Sequence, residues 1–234
     1  MFNDAVLAEY VRDAVVESEH RGFLVMLNSD GSLFKSLGDI DTKIFPRSTV
    51  KSAQASAMVR HGLDLEPRLL ALAASSHSGS KVHIDGVREI LASVGLDESA
   101  LQCALDRPLG EPERGAWGDS APTRIAMNCS GKHAAMLATC VKNGWPIKTY
   151  LEQSHQLQIA IKSELENLAG EKITFTSADG CGAPLFLLSV IGLARAIRAV
   201  TISIDPAHQS VITASRAFPE MVGGLGRHVT QMMQ

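Results

Sequence analysis

The segment Asn128-Cys129-Ser130-Gly131-Lys132-His133 constrains the fold of this chain most strongly, because it places several reactive side chains at the start of a long apolar run. That run continues to Gly144-Trp145-Pro146, a sequence that typically ends a helix. We therefore predict a helix over residues 131–143 whose first turn presents a thiol, an amine and an imidazole. A second thiol, Cys181, lies between two glycines. Structural elements seldom combine so much reactive chemistry with glycine hinges, and the pattern indicates an active site.

Composition limits the classes of protein to which the chain can belong. At 234 residues and 45% hydrophobic content it can bury a sizeable core. A net charge of −3 and a pI near 6.2 argue against nucleic acid or an anionic membrane as a partner. No apolar run approaches the ~20 residues that span a bilayer. Charged residues interrupt the N-terminus where a signal peptide needs its apolar region, so we expect a cytoplasmic protein with reduced thiols.

Apolar periodicity and turn residues predict a helix-rich chain with a few strands. Residues 5–18 are compatible with either a helix or a strand, and 107–122 is expected to be a long irregular loop. Helices are predicted over 48–61, 68–74, 84–95, 98–105, 131–143, 149–169, 185–199 and 206–217, and strands over 23–27, 33–34, 43–45 and 173–176. The first two strands flank the turn 28–31 and form a hairpin. This mixture indicates an α+β or α/β protein, with no closing element after residues 223–228.

Ser48-x-x-Lys51 is a candidate nucleophile with its base. On a helix, this spacing places the hydroxyl and the amine one turn apart on one face. A lysine whose pKa is lowered by burial can accept the serine proton. The same spacing recurs at Ser32/Lys35 and Ser78/Lys81, but only Ser48 is predicted to lie at a helix start. A capping serine beside a solvated lysine is the alternative interpretation.

The segment Ser75-Ser76-His77-Ser78-Gly79-Ser80 is a hydroxyl-rich turn after a predicted helix. Serines in turns usually satisfy backbone groups. A second nucleophile or a substrate ligand is the alternative.

Cys129, Lys132 and Cys181 are candidate metal ligands. Thiolates bind zinc well, whereas a lysine must first lose its proton. A nucleophilic Cys129 activated by His133 is a comparable interpretation. The remaining thiols, Cys103 and Cys140, are expected to be buried and inert.

Taken together, several motifs in order resemble the rhizobial-type L-asparaginases, also called the asparaginase II family. The resemblance is carried by segments 16–22, 47–55, 76–79, 128–137, 179–184 and 219–224. It implies a single domain over 1–234 with an α+β fold like that of serine β-lactamases and penicillin-binding proteins, in which helices pack on an antiparallel sheet. It also implies a homodimer that hydrolyses the side-chain amide of L-asparagine to L-aspartate and ammonia.

The resemblance also implies roles for individual residues. Ser48 and Lys51 match the first serine–lysine pair of the family, and Ser76 matches the serine of the second. Asp179 matches an aspartate of the same turn, which the resemblance implies is a substrate contact. The residues that match zinc ligands are Cys129, Lys132 and Cys181. We hypothesise that Lys51 takes the proton of Ser48 and that Ser48 or Ser76 attacks the amide carbon.

Two departures from the family pattern leave alternative functions open. Members usually continue beyond this length, and the lysine that partners the second serine lies in that further part, so we expect a C-terminally truncated fold in which Ser76 lacks its lysine. Lys81 does not match that partner, and Ser80 stands where the family commonly has glutamate. The alternatives are a β-lactamase-like hydrolase acting on another amide and an inactive zinc-binding remnant.

Overall fold

The computed structural model describes residues 3–234. Eight strands form in the order β1 Ala5–Arg12, β2 Val15–Gly22, β3 Leu24–Leu27, β4 Leu33–Leu37, β5 Lys43–Ile44, β6 Thr176–Ala178, β7 Pro184–Phe186 and β8 Leu188–Ser189. The helices are α1 Lys51–Arg60, α2 Pro67–Ala73, α3 Lys81–Ala92, α4 Glu111–Trp117, α5 Ser130–Asn143, α6 Gln156–Ala169, α7 Val190–Ile202, α8 Pro206–Ala217, α9 Pro219–Val222 and α10 His228–Met233. The molecule is therefore a mixed, helix-rich α+β structure, as the sequence predicted.

The strands form four separate antiparallel pairs in the described residues, and not the one sheet that the resemblance implied. β1 pairs with β2, and β3 pairs with β4. β6 pairs with the neighbouring β7, whereas the pairing of β5 with β8 joins two segments that are distant in sequence. Four of the eight strands, β5, β6, β7 and β8, are only two or three residues long. Such short pairs depend on the helices around them, because an isolated two-stranded ribbon is marginally stable.

The N-terminal segment whose type the sequence left open is a hairpin. β1 and β2 turn through Asp13 and Ala14, which have φ angles of 46° and 65°. The following hairpin, β3–β4, is the one predicted from its turn chemistry. Gly31 has a φ of 91° and donates its backbone N–H to the carbonyl of Asn28 over 2.9 Å. Glycine suits this position because it adopts positive φ without a steric cost.

The core lies between the helices. α5 is buried from Ser130 to Cys140 and ends at Gly144, which adopts the left-handed conformation. Gly131 allows α5 to approach α2 closely, because a Cβ atom there would lie 2.6 Å from the carbonyl oxygen of Leu72. α1 packs against α6 and α8, and α2 packs against α5 and α8. The helix predicted over 131–143 is thus confirmed as a central element of the core.

Three predicted elements were wrong in part. The apolar run after Pro184 pairs as β7 and β8, and α7 begins only after Ser189, whose Oγ accepts from the N–H of Gly192 over 2.9 Å. Residues 150–155 are turns, so the long predicted helix starts at Gln156. The expected loop at 107–122 contains α4. In each case tertiary contacts or a cap decided the boundary, which periodicity locates poorly.

Smaller differences occur elsewhere along the chain. Residues 98–105 form only a 3₁₀ turn at Glu98–Ala100. α10 begins at His228, the end of the segment that was expected to lack a closing element, and α9 precedes that segment. The helices predicted over 68–74 and 84–95 are confirmed with shifted ends as α2 and α3, and the helix predicted over 206–217 is confirmed as α8. Over residues 3–234, none of the helices is both long and apolar enough to cross a membrane.

Candidate active site

Lys51 is the centre of the candidate site. A 3₁₀ turn, Arg47–Val50, leads directly into α1, and Lys51 is the first residue of that helix. The side chain is buried and turns towards the loop 75–80. Its Nζ atom donates to Ser76 Oγ over 2.8 Å and to Cys129 Sγ over 3.0 Å, and it also bonds the carbonyl oxygen of Ser75. Lys51 thus contacts both the loop 75–80, called the serine loop below, and the start of α5.

The surroundings of Lys51 make its ammonium group easier to deprotonate than that of an exposed lysine. Burial lowers the pKa of Lys51, since a charge loses its hydration inside the protein. The nearby thiolate of Cys129 opposes this shift, whereas the charge of Lys132 adds to it. A lysine with a lowered pKa and a hydroxyl within hydrogen-bond distance has the arrangement of a general base.

The predicted partner of Lys51 differs from the observed one. Ser48 lies in the 3₁₀ turn and is exposed. The backbone N–H of Lys51 donates to the carbonyl oxygen of Ser48, but within residues 3–234 no hydrogen bond joins the Ser48 hydroxyl to the Lys51 amine. The amine lies beside the Ser76 hydroxyl instead. The expectation that Ser76 lacks the lysine of the family's second pair stays a prediction, and Lys51 is the lysine that contacts the Ser76 hydroxyl in this structure. Lys81, which was not expected to be that partner, is exposed and pairs with Asp85.

Cys129, Lys132 and Cys181 come together beside Lys51. All three are buried, with 3%, 2% and 1% of their surface exposed. Lys132 Nζ lies 3.3 Å from Cys181 Sγ. Cys129 caps the start of α5, Lys132 lies in its first turn, and Cys181 lies in the turn between β6 and β7. The structure therefore brings together side chains from distant parts of the sequence, since Cys129 and Cys181 are 52 positions apart.

The two thiols have opposite protonation preferences. The hydrogen bond from Cys181 lowers the pKa of Cys129, and the charges of Lys51 and Lys132 act in the same direction against burial. The same hydrogen bond, together with burial, raises the pKa of Cys181. Burial lowers the pKa of Lys132, but the thiolates Cys181 and Cys129 outweigh it, so the net pKa is raised. These directions favour the thiolate form of Cys129 and the thiol form of Cys181 beside a protonated Lys132.

This cluster supplies two sulfur donors and one amine to a metal ion. Within residues 3–234, no group of three or more His, Cys, Asp or Glu side chains forms a metal site. A metal at this position would therefore need Lys132 as its third protein ligand. The two thiols suit zinc, and thiolate binding to zinc would remove the negative charge that keeps Lys132 protonated. The donor set fits zinc on these grounds.

Cys103 and Cys140 are buried, free thiols, as expected. Burial raises the pKa of Cys103 to about 11 and that of Cys140 to about 12. Burial alone does not distinguish the four cysteines. The nearby lysines distinguish Cys129 and Cys181 from the inert pair.

Asp179 is held by Arg47, a residue of the 3₁₀ turn that also contains Ser48, and the sequence analysis gave Arg47 no role of its own. Arg47 Nη2 lies 2.9 Å from Asp179 Oδ1, and only 12% of the aspartate side chain is exposed. Asp179 also accepts from the N–H of Gly180 over 2.8 Å and faces the thiol of Cys181. Arg47 has a φ of 50°, an uncommon conformation for a non-glycine residue. Its position next to Ser48 was the only indication in the sequence.

His133 does not contact the thiol that it was considered to activate. Its Nδ1 atom lies 2.8 Å from the hydroxyl of Tyr150, which also accepts from the N–H of Gln102. Burial lowers the pKa of His133 well below its usual value, with Lys132 and Lys51 adding to the shift. This imidazole is a neutral, buried group that contacts Tyr150, and within residues 3–234 no hydrogen bond joins its ring to the Cys129 thiol.

The sequence reasoning also missed a polar network behind the serine loop. His77 Nε2 lies 2.9 Å from Ser130 Oγ, which donates to the carbonyl of Ile125 and must therefore accept from the imidazole. The His77 ring stacks on His83 with 5.1 Å between centroids. The hydroxyl-rich segment 75–80 gave a sign of this network, but its partners come from distant elements.

Comparison with known proteins identifies the family of this chain. The sequence model of the L-asparaginase II family matches residues 8–234. The chain therefore belongs to the L-asparaginase II family, and the resemblance noted from its motifs is confirmed. Membership supports a hydrolase that acts on a small amide substrate, asparagine. No curated protein matches the chain.

Proposed function

We propose that this protein hydrolyses the side-chain amide of L-asparagine to L-aspartate and ammonia, with Ser76 as nucleophile and Lys51 as its base. The observation that carries the proposal is the distance of 2.8 Å between Nζ of the buried Lys51 and Oγ of the half-buried Ser76. Family membership supports the substrate, and the geometry supports the pairing of these two side chains.

The proposed reaction proceeds in two acyl-transfer steps. Neutral Lys51 takes the proton of Ser76 while the serine oxygen attacks the amide carbon. The proton then passes to the leaving nitrogen, ammonia departs and an aspartyl ester of Ser76 remains. Water hydrolyses this ester with Lys51 again as base, which restores the serine hydroxyl.

Ser48 remains part of the proposed site as a second hydroxyl. It is exposed in the turn that also carries Arg47, whereas Ser76 is half-buried beside Lys51. We assign Ser48 to substrate contact or proton transfer from the solvent side. Asp179, fixed by Arg47, is proposed to bind the α-amino group of asparagine, since a carboxylate complements an ammonium group.

Zinc is a proposed cofactor. Cys129, Lys132 and Cys181 would hold it, and when bound it would supply a Lewis acid that orients the substrate. The residues of the chain perform the other tasks without it: Lys51 moves the proton, and Ser76 forms the bond to carbon.

The fold, the oligomeric state and the cellular location that the resemblance implied are also proposals. We infer a single domain over 1–234 related to the serine β-lactamases, a homodimer and a cytoplasmic location. A buried lysine at a helix start, bonded to a serine, supports the first of these. Light scattering on the purified chain tests the dimer, with a monomer mass as the contrary result.

Replacement of each serine tests the proposed function. Ammonia release from L-asparagine is measured for the unaltered protein, Ser76→Ala and Ser48→Ala, with Ser210→Ala as a control far from Lys51 in the sequence. We expect Ser76→Ala to lower kcat by at least about 10³-fold and Ser48→Ala to retain more turnover. Loss of turnover only in Ser48→Ala would assign the nucleophile to Ser48. Absence of ammonia release with cleavage of a chromogenic β-lactam would overturn the substrate assignment.

A further inference from the structure

Ser78 connects the serine loop to a neighbouring segment of the chain. It is fully buried two residues after Ser76. Its Oγ atom donates to Glu113 Oε1 over 2.7 Å, and its carbonyl oxygen accepts from the N–H of Gly110 over 2.8 Å. The segment 106–118 thus bonds both the side chain and the main chain of this one residue.

The two segments approach so closely that glycine is required where they meet. A Cβ atom on Gly110 would lie 2.8 Å from Ser78 Cβ and would overlap the Glu113 carboxylate. A Cβ atom on Gly79, where φ is 87°, would lie 2.9 Å from the Cβ of Pro108. This contact is therefore a close-packed junction that a small displacement would disrupt.

Glu113 is the main side-chain attachment of α4. Within residues 3–234, its bond to Ser78 is the one side-chain hydrogen bond from α4 to a residue outside 106–121. Arg114 bonds the carbonyl of Pro108, which belongs to the same segment. A cavity of about 360 Å³, lined by residues that include Lys81, Ile84 and Trp117, separates α4 from the start of α3.

The serine loop has little freedom to absorb a shift at Ser78. One residue separates Ser78 from Ser76, and consecutive Cα atoms are about 3.8 Å apart. On the other side, Lys51 bonds Ser76 Oγ and the carbonyl of Ser75. The backbone N–H of His77 donates to the carbonyl of Asn128 over 3.2 Å. A displacement of Ser78 would therefore change the distance between the Ser76 hydroxyl and the Lys51 amine.

We propose that Glu113 is a positioning residue that holds Ser78 and so sets the distance between Ser76 and Lys51. It acts through Ser78 and does not touch the substrate. This inference rests on the proposed role of Ser76. The bond needs an acceptor at residue 113, and a glutamine oxygen provides one as well as a carboxylate does.

Three variants in the first turns of α4 test the proposal. Glu113→Ala removes the acceptor, Glu113→Gln keeps it without the charge, and Glu111→Ala removes a neighbouring exposed carboxylate from the same helix end. For ammonia release from L-asparagine, we expect Glu113→Ala to lower kcat by about 10- to 100-fold, with little change in KM. Glu113→Gln and Glu111→Ala should stay close to the unaltered protein.

Hydrogen exchange provides a readout that does not need asparaginase activity. We expect the His77 amide to exchange faster in Glu113→Ala and at the original rate in Glu113→Gln and Glu111→Ala. Unchanged kcat and unchanged exchange in Glu113→Ala would overturn the positioning role. If the unaltered protein releases no ammonia, the proposed function fails, while exchange at His77 still decides the role of Glu113. Equal losses in Glu113→Gln and Glu113→Ala would also contradict the proposal, because the acceptor would then not be the cause.

Discussion

Lys51 Nζ lies 3.0 Å from Cys129 Sγ, so the lysine that faces the Ser76 hydroxyl also faces the thiol cluster. The serine site and the candidate metal site are therefore one connected group of buried side chains. A change in the charge of either site alters the other through this contact, because electrostatic interactions are strong where water is excluded.

The first prediction concerns the amine of Lys51. Lys51→Met removes the base, and Lys51→Arg replaces it with a group that stays protonated. We expect both variants to lower kcat for ammonia release by at least about 10²-fold. Lys81→Met is the control, since that exposed lysine pairs only with Asp85. Turnover by Lys51→Met at the original rate would refute the assignment of the base.

The second prediction concerns Asp179 and its partner Arg47. Asp179→Asn removes the charge that we propose binds the α-amino group of the substrate. We expect KM for L-asparagine to rise by about 10- to 100-fold, the worth of a hydrogen bond to a charged group. Asp41→Asn is the control, because Asp41 is an exposed aspartate that lies near Arg47 in the sequence. An unchanged KM would remove Asp179 from the substrate site.

The third prediction concerns metal binding. We expect the purified chain to bind one zinc ion per protein molecule in equilibrium dialysis, and cobalt in its place to give a thiolate absorption band. Cys181→Ser and Cys129→Ser should lose both, and Lys132→Met should bind more weakly. Cys103→Ser, a buried thiol outside the cluster, should bind as the unaltered protein does. Retention of the cobalt band in Cys181→Ser would show that the metal lies elsewhere.

The fourth prediction concerns stability at low pH. Burial lowers the pKa of His77 well below its usual value, and His83, Lys51 and Arg227 add to the shift. Burial also lowers the pKa of His83, against opposing effects of Glu220 and Glu113, with Arg227 adding to the decrease. Below the ordinary histidine pKa the unfolded chain binds these protons and the folded protein does not, so stability falls as pH falls.

The measurement is urea denaturation at several pH values between 7.5 and 5. Each of the two histidines should contribute a loss of up to about 1.4 kcal/mol per pH unit below about 6.5. His83→Gln should reduce the slope, whereas the exposed residue His20, replaced by Gln, should leave it unchanged. Stability that is independent of pH over this range would contradict the prediction.

The fifth prediction concerns the contact between α2 and α5. A Cβ atom on Gly131 would meet both the carbonyl oxygen and the side chain of Leu72. We expect Gly131→Ala to lower the free energy of unfolding by about 1–3 kcal/mol, the usual effect of overpacking. Gly115→Ala is the matched control, because nothing lies within 4 Å of its Cβ position in α4. That control should gain about 0.5–1 kcal/mol, and a similar gain in Gly131→Ala would show that the contact can relax.

Local sequence signals predicted the elements that depend on short-range contacts. The hairpin around Gly31 and the helix that ends at Gly144 follow from glycines that adopt positive φ and from regular apolar spacing. The helix predicted over the apolar run 185–199 was wrong in its first part, because residues there pair as strands, β7 with the neighbouring β6 and β8 with the distant β5. Apolar periodicity cannot separate a buried helix from a buried strand in such a run.

The sequence by itself determined which chemical groups the site contains: the serines, the lysines and the two cysteines in glycine-flanked segments. It also determined the family to which the chain belongs. Only the tertiary structure decided that the Lys51 amine contacts the hydroxyl of Ser76 and not that of Ser48, and that Arg47 holds Asp179. The physical reason is that a motif fixes only the distance along the chain, whereas hydrogen bonds depend on where separate helices and turns place side chains in space.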